Sequence, residues 1–233
     1  MGEVYATALT GLGTEIEYAD GTRTALEAGR WFAPIPGDEA MLARCRGLTL
    51  DIGSGPGRLT AELARRGVPA LGIDITPQAV RLTRRAGGVA LLGDVFGDLP
   101  WSGRWSSALL ADGNIGIGGH PHALLRRVRQ LLRPGGEVVV ELAGPATASR
   151  VDRVRLRRPE VVGDWFGWAV VSVSDIARLA RTGGLTTVEH HHEHGRWFAR
   201  LRRPARPAPR PRAVRETPRP RAVRDRKVGR DAS

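Results

Sequence analysis

Three glycines alternate with other residues in the stretch LDIGSGPGR, at Gly53, Gly55 and Gly57. They follow an apolar run that contains one acidic residue, Asp51. They precede a helical pattern that begins at Arg58. Glycine adopts positive φ without steric cost and lets a ligand approach the backbone closely. The first turn of a helix adds backbone N–H groups without intrahelical partners. The stretch therefore predicts a loop that binds a nucleotide-like ligand.

Two known glycine-rich patterns do not fit this loop. The dinucleotide fingerprint G-x-G-x-x-G needs a glycine at its sixth position, where this chain has Arg58. A P-loop needs Gly-Lys-Ser/Thr, which is absent from the stretch. The loop taken alone therefore leaves the identity of the ligand open.

Two further acids follow apolar runs, Asp74 and Asp94. Asp74 lies 17 residues beyond Gly57, close to the spacing of about 20 residues at which doubly wound folds place a ribose-binding acid. Each acid taken singly also fits a turn or capping role. Because Asp51, Asp74 and Asp94 fall at consecutive predicted strand ends, a shared binding role is favoured.

The sequence around these residues alternates strand and helix patterns. Strands are predicted at 47–52, 69–74, 89–94, 105–114 and 137–143, helices at 58–67, 76–88, 121–136 and 172–184, and a hairpin across 185–203. This alternation predicts an α/β fold with a doubly wound, mostly parallel sheet and a C-terminal antiparallel hairpin. Ligands of such sheets bind at the carboxyl ends of the strands, where the strand order reverses, so the glycine loop is expected there.

Four motifs follow one another between residues 47 and 142: LDIGSGPGRLTAELARRG, LGIDITPQAV, LLGDVFGDLP and LLRPGGEVVVEL. Together they resemble the class I S-adenosylmethionine (SAM)-dependent methyltransferases. The resemblance implies a Rossmann-like fold whose seventh strand inserts antiparallel between the fifth and sixth. It also implies a transferase of class EC 2.1.1.- that uses SAM as cofactor and releases S-adenosylhomocysteine.

The resemblance assigns a cofactor role to nine residues. It implies that Asp51 binds the amino group of the methionine moiety, that Asp74 binds the ribose hydroxyls and that Asp94 binds the adenine amino group. It further implies that the glycine loop contacts the methionine moiety through Gly53, Ser54, Gly55 and Gly57. Two apolar residues beside the acids complete the set: Ile75, which packs on adenine, and Val95.

The methyl acceptor is expected beside the end of the fourth strand, in LLADGNIGIGGHPHALLRR. Asp112 and His120 are candidate catalytic residues, needed if the acceptor must lose a proton. Asn114 and Trp31 are candidate substrate contacts. Three of them have a structural alternative: a turn residue for Asp112, an N-cap for His120 and core packing for Trp31. DGNIGIGG is similar to a segment in a group of bacterial methyltransferase-domain proteins of undefined substrate.

Aromatic residues cluster in two places outside these motifs. Tyr5, Trp31 and Phe32 precede the predicted sheet and suit either a lid over the acceptor or ordinary packing. GDWFGWAV, at 163–170, lies in an insert after the fifth strand, a region that often shapes the acceptor pocket in the resembled family.

The stretch HHHEH, at 190–194, invites a metal interpretation. On a strand, His190, His192 and His194 share one face, but the turn at Gly195 interrupts that face and no other ligand cluster accompanies it. We therefore predict no metal site and a solvated hairpin tip.

The net charge of +12 is concentrated at one end of the chain. Residues 204–233 hold ten basic and three acidic residues, are rich in Pro and Arg, and are predicted to be a disordered tail that binds polyanions weakly. The chain is thus divided into a helical or lid segment at 1–46, a SAM-binding domain at 47–203 and the tail at 204–233. A lone Cys45, the lack of a signal peptide and the lack of a long apolar run predict a cytoplasmic protein without membrane contact.

These observations predict a SAM-dependent methyltransferase acting on a small-molecule acceptor, in a role such as secondary metabolism. Two alternatives stay open: an RNA methyltransferase that uses the tail as a phosphate-binding arm, and a SAM-binding protein without transfer activity. The acceptor atom and the oligomeric state are not predicted.

Overall fold

The computed structural model describes residues 2–10 and 13–205. Its helices are α1 (Gly2–Ala8), α2 (Asp38–Leu42), α3 (Arg58–Arg65), α4 (Pro77–Arg85), α5 (Pro121–Leu131) and α6 (Ile176–Thr182). Its strands are β1 (Glu15–Tyr18), β2 (Arg23–Ala25), β3 (Thr49–Ile52), β4 (Ala70–Asp74), β5 (Ala90–Leu92), β6 (Trp105–Leu110), β7 (Leu132–Leu142), β8 (Arg150–Arg157), β9 (Phe166–Val170), β10 (Thr186–Glu193) and β11 (Arg196–Arg202). Short 3₁₀ turns occupy Ala28–Trp31 and Asn114–Gly119.

Seven strands form the large sheet in the order β10-β11-β7-β6-β3-β4-β5. The five strands from β7 to β5 are parallel, and β11 lies antiparallel between β7 and β10. This arrangement confirms the predicted fold class, including the antiparallel strand inserted near the end of the chain. The strand order reverses between β3 and β6, so the loops after these two strands meet at the carboxyl edge of the sheet.

The sheet is held by helices whose apolar faces are buried on it. β3 is buried along its whole length, and Trp105 at the start of β6 is fully buried among the side chains of α5 and β7. α4 begins with Pro77 after an extended Thr76, as its sequence predicts, because proline fits the first helical position. These contacts fix the carboxyl ends of the strands on which the site is built.

A second sheet was not anticipated from the sequence. β2, β1, β8 and β9 pair antiparallel in this order, with Ile16 opposite Leu156 and Asp152 opposite Trp168. The N-terminal segment, predicted as helical, therefore supplies two strands as well as α1 and α2. The pairing joins β1 to a strand more than 130 residues away, and such a non-local partner leaves no trace in a local pattern.

One predicted boundary is displaced. The helix expected over 121–136 ends at Leu131, and β7 begins at Leu132 rather than at residue 137. The cause is a pairing with the end of the described chain, where Gly135 N–H donates to the Arg203 carbonyl (3.0 Å) and Arg203 N–H donates to the Gly136 carbonyl (2.8 Å). The predicted disordered tail lies outside the described residues from 206 onward. None of the described helices is long and apolar enough to cross a membrane.

Candidate active site

A cavity of about 380 Å³ lies between the carboxyl edge of the large sheet and the inner face of the small sheet. On the large-sheet side it is lined by the ends of β3 and β4 and by the segments that follow β3, β4, β5 and β6. On the small-sheet side it is lined by alternate residues of β1, β8 and β9. The site therefore has one polar, loop-built half and one half built from the second sheet.

The glycine loop forms the floor of the polar half. Gly53 (φ 72°) and Gly55 (φ 55°) line the cavity in the left-handed region that suits glycine. Asn114 ties this loop to the turn after β6, because its Nδ2 donates to the carbonyls of Ile52 (2.9 Å) and Gly53 (3.0 Å). Asn114 thus lines the cavity as predicted, but its amide nitrogen is already engaged with the backbone.

Gly57 has a different position from the other two glycines. It is not among the described residues that line the cavity, and a Cβ added to it would lie 2.6 Å from Cα of Thr83. The missing side chain therefore allows α3 and α4 to pack closely behind the loop. The expected backbone contact of Gly57 with the cofactor gains no support from this placement.

Asp51 is buried at the end of β3 and lines the cavity. Burial raises the pKa of its carboxyl to about 6, although a hydrogen bond from Thr60 Oγ1 to Oδ2 (2.6 Å) opposes the shift. A carboxylate in this position is under-solvated and favours a cationic partner.

Asp74 ends β4 and organises the loop beside it. Its Oδ2 accepts from Gly55 N–H (3.1 Å) and its Oδ1 accepts from Thr76 N–H (2.8 Å). Burial raises the pKa of this carboxyl, against the effect of both backbone hydrogen bonds. Asp74 therefore combines the turn role considered from the sequence with a place in the cavity lining.

The remaining predicted cofactor residues also line the cavity. Ile75 keeps 49 % of its surface exposed, which is unusual for a large apolar side chain beside a pocket and provides a flat surface for a ring. Asp94 is exposed and accepts from Phe96 N–H through Oδ1 (2.9 Å), while Val95 is buried next to it. Ser54 is buried, and its Oγ has no hydrogen-bond partner among the described residues.

Asp112 follows β6 with a left-handed backbone (φ 50°) and lines the cavity. Its N–H donates to Glu141 Oε2 (2.6 Å), and its Oδ2 accepts from Arg58 Nη2 (2.5 Å). Burial raises the pKa of its carboxyl, whereas the charge of Arg58 lowers it. The turn role and the proton-accepting role proposed from the sequence are both compatible with this position.

A buried ion network that the sequence analysis missed lies behind Asp112. Arg58 also pairs with Asp38, and Arg196 binds Glu141 through Nε and Nη2 (both 2.8 Å) and Asp38 through Nη1 (2.9 Å). The side chains of Arg58 and Arg196 are only 5 % and 9 % exposed. Arg58, at the sixth position of the glycine loop, was the one local indication of this network in the sequence. Its partners come from distant segments of the chain.

The glycine-rich turn after β6 packs directly on the small sheet. A Cβ on Gly116 would lie 2.2 Å from the Ala169 carbonyl oxygen and 2.8 Å from Trp168 Nε1. The glycine at position 116 is thereby explained, since any side chain there would displace β9. His120, at the end of this turn, is exposed and is not among the described residues that line the cavity, so its placement gives a catalytic role no support.

Two aromatic residues of the N-terminal segment cover the cavity. Tyr5 and Trp31 both line it, and their ring centroids lie 5.8 Å apart at 51°. Burial, together with the charges of Asp74 and Asp112, raises the pKa of the Tyr5 hydroxyl, which therefore stays protonated. Trp31 is thus placed at the cavity, as predicted for a substrate contact.

The histidines of the hairpin lie elsewhere. His192 stacks on Trp197 (4.2 Å between centroids), and His194 lies in the turn with a left-handed backbone (φ 49°). Within the described part of the chain, no group of three or more His, Cys, Asp or Glu residues is arranged to hold a metal ion.

Part of the chain is similar to a known protein family. The methyltransferase domain family matches residues 49–136, which run from β3 into β7. Residues 49–136 are thus similar to a methyltransferase domain, and the chain has the fold of the class I SAM-dependent methyltransferases. No curated protein sequence matches the chain.

Solved structures of methyltransferases share the fold. A SAM-dependent methyltransferase from Bacteroides fragilis in complex with S-adenosyl-L-homocysteine is 20 % identical, with a TM-score of 0.69, and the match covers 85 % of this chain and 92 % of that one. The 1,6-didemethyltoxoflavin-N1-methyltransferase of Burkholderia thailandensis is 20 % identical, with a TM-score of 0.55 and coverages of 72 % and 76 %. The CcbJ methyltransferase of Streptomyces caelestis is 22 % identical, with a TM-score of 0.55 and coverages of 74 % and 91 %.

The cofactor of the methyltransferase domain is SAM, and the polar half of the cavity has the features that this group requires. Acidic residues lie within two residues of the carboxyl ends of the neighbouring strands β3, β4 and β5, and Gly53 and Gly55, which have no side chains, line the cavity in the loop between β3 and α3. The small sheet lies outside the matched residues 49–136. The matched residues thus supply the polar half of the cavity, and segments before and after them supply the other half.

Proposed function

We propose that this methyltransferase acts on a small-molecule acceptor seated against the small sheet. The observation that carries the proposal is the enclosure of the cavity by that sheet. Its inner face is apolar and aromatic, and it opposes the glycine loop across the cavity. Small-molecule sites are concave and mostly apolar, with a few placed polar groups, and this half of the cavity has that character.

The charges of the cavity argue against the RNA alternative. Arg58 is the one basic residue among the described residues that line it, and Arg58 is already paired with Asp38 and Asp112. Nucleic-acid recognition depends on free basic and polar groups that contact phosphates. The neighbour from Burkholderia thailandensis, whose structure contains 1,6-didemethyltoxoflavin, adds support for a small acceptor.

In the proposed mechanism, SAM supplies an activated methyl group bonded to a sulfonium. Asp51, Asp74 and Asp94 are proposed to hold its amino group, ribose and adenine, and Ile75 to pack on adenine. The small sheet orients the acceptor and excludes water, which converts the encounter of two molecules into a positioned reaction. Asp112 lines the same cavity and is the proposed proton acceptor for an acceptor group that must be deprotonated.

We also propose a division of the chain in which residues 47–203 form the SAM-binding domain and residues 1–46 act as its cover. Tyr5 and Trp31 carry this part of the proposal, because both reach the cavity from the N-terminal segment. β1 completes the cover by pairing with β8 of the insert.

A transfer assay with labelled SAM tests the proposal. The purified protein is incubated with fractionated metabolite extract and, separately, with total RNA. Label is expected in a low-molecular-weight fraction, and Asp74→Ala is expected to weaken binding of S-adenosylhomocysteine by about 2 kcal/mol, since hydrogen bonds to a charged group contribute about 1.5–3 kcal/mol. Asp98→Asn, an exposed acid outside the cavity lining, is the control. Label found only in RNA would favour an RNA methyltransferase. Binding of S-adenosylhomocysteine without any transfer would favour a SAM-binding protein without transfer activity.

A further inference from the structure

One carboxylate lies on the apolar inner face of the small sheet. Asp152 is in β8, directly opposite Trp168 of β9, and both residues line the cavity. Their neighbours along the strands, Val154 and Phe166, are also opposite each other and line it. Asp152 therefore stands out as a charged side chain on a wall otherwise suited to an apolar ligand.

Asp152 is only partly neutralised. Its Oδ2 accepts from Arg150 Nε (2.9 Å), and its Oδ1 accepts no hydrogen bond from the described residues. The Arg150 side chain is 48 % exposed, whereas the Asp152 side chain is 21 % exposed. An exposed ion pair of this kind contributes little, so a cationic ligand in the cavity competes easily with Arg150 for the carboxylate.

Aromatic rings line the cavity together with Asp152. Phe166 and Trp168 meet edge to face, with centroids 6.4 Å apart at 86°. Tyr18 and Trp31 line the same cavity from the N-terminal segment. The faces of aromatic rings attract cations, and Trp is the strongest of them in this respect.

The charged residues that line the cavity are strongly biased in sign. Among the described residues they are Asp51, Asp74, Asp94, Asp112, Asp152 and Arg58. The first three belong to the proposed cofactor half, and Arg58 is bound by two carboxylates. An acceptor with a carboxylate or phosphate would be buried here without a free cation beside it, which is costly.

We infer that the acceptor carries a protonated amine on an aromatic or apolar body, and that Asp152 and Trp168 bind this amine. The inference rests on the proposed function, because it names the class of molecule that the acceptor half takes. It concerns recognition and does not assign the atom that is methylated.

Three molecules that share the indole ring and differ in charge test it: tryptamine, 3-methylindole and indole-3-propionate. Calorimetry at neutral pH is performed on the protein saturated with S-adenosylhomocysteine. Tryptamine is expected to bind about tenfold more tightly than 3-methylindole, which is the range of a partly desolvated cation–π contact, and indole-3-propionate more weakly than both. Asp152→Asn should abolish most of the preference for tryptamine, and Asp98→Asn should leave it unchanged.

A second variant keeps the test decisive if Asp152→Asn fails to fold. Arg150→Gln removes the competing cation and should increase the affinity for tryptamine, with no increase for 3-methylindole. The inference is overturned if indole-3-propionate binds as tightly as tryptamine, if Asp152→Asn retains the full preference, if Arg150→Gln weakens tryptamine binding, or if none of the indoles binds. Binding of S-adenosylhomocysteine is measured first: its loss contradicts the proposed function, whereas its retention without preference for the amine defeats this inference alone.

Discussion

Arg58 donates to Asp112 at 2.5 Å across the floor of the cavity, and it joins the first turn of α3 to the loop after β6. The same guanidinium reaches Asp38, at the start of α2, so one buried cation connects three segments that are distant in sequence. The contact fixes the position of the carboxylate that we propose as proton acceptor. It also couples the proposed cover of the site to the loop that carries Asp112.

Replacing Arg58 by methionine should destabilise the protein by about 3 kcal/mol, because breaking a buried ion pair leaves an uncompensated charge. The side chains of Asp38 and Asp112 are only 8 % and 23 % exposed. Urea unfolding followed by circular dichroism measures the change. Arg65→Met is the matched control in the same helix, since the Arg65 side chain is 69 % exposed. Equal losses in the two variants would show that the network contributes nothing.

Asp51 should reduce the stability of the ligand-free protein above about pH 6. Its folded pKa, raised to about 6 mainly by burial, exceeds the value of about 3.9 expected in the unfolded chain. Between these two values the folded state binds more protons than the unfolded state, so stability falls as the pH rises through this window. Asp51→Asn is therefore expected to raise the melting temperature at about pH 8, and the gain should shrink toward about pH 4.

The same variant should weaken binding of S-adenosylhomocysteine at least tenfold, because a charge-assisted hydrogen bond is lost. Thr60→Val, which removes the donor to Asp51 Oδ2, serves as a comparison that leaves the carboxylate in place. A melting temperature that is lower in Asp51→Asn than in the wild type at every pH would contradict the destabilising effect expected of the Asp51 charge.

The parts of the fold that follow from local patterns were predictable from the sequence. Alternating strands and helices led to the parallel sheet, and Pro77 and the glycines around residue 87 marked the ends of α4. The acids that end consecutive strands reach one cavity because parallel strands share an edge. Periodicity and capping carry this information in single segments.

The second sheet and the ion network were not predictable in this way. β1 has only four residues, and it becomes a strand because β8 offers it a partner. Arg196 follows the hairpin tip that was predicted to be solvated, yet it is buried against Asp38 and Glu141. Gly57 fits a ligand-binding loop by its spacing, and only its contact with Thr83 gives it a packing role. Each case depends on partners that are distant in sequence.

Gly116→Ala should impair the acceptor half while sparing the cofactor half. The added Cβ would overlap the Ala169 carbonyl, so β9 must move and carry Trp168 with it. We expect KM for the acceptor to rise about tenfold or more, since a displacement of about 1 Å is costly to a positioned reaction, and the affinity for S-adenosylhomocysteine to stay the same. Gly29→Ala, where an added Cβ meets nothing within 4 Å, is the control. Equal changes in KM for the acceptor and in the affinity for S-adenosylhomocysteine would contradict the division of the cavity into two halves.

Asp112→Asn should lower kcat by about 100-fold, which is within the range of general acid–base catalysis. Asparagine tolerates the left-handed backbone at this position, so the turn is preserved while the charge is removed. Because burial raises the pKa of Asp112, the activity of the wild type should fall at low pH, and this limb should disappear in the variant. A variant with unchanged kcat and an unchanged pH profile would leave Asp112 as a turn residue only.

The basic residues beyond the described chain should not be needed for transfer to a small molecule. Replacing the ten basic residues between positions 206 and 230 by glutamine removes the larger part of the net charge of +12. Nonspecific RNA affinity should fall steeply, because it depends on the number of phosphate contacts and is sensitive to salt. Turnover of the acceptor should stay within about twofold, since a small-molecule acceptor is held by the cavity and does not need phosphate contacts with these basic residues. Turnover is measured for both proteins at low and physiological salt, and RNA binding by a filter assay. Loss of turnover in the neutralised variant, together with inhibition of the wild type by salt, would make these residues a substrate-binding arm and favour an RNA acceptor.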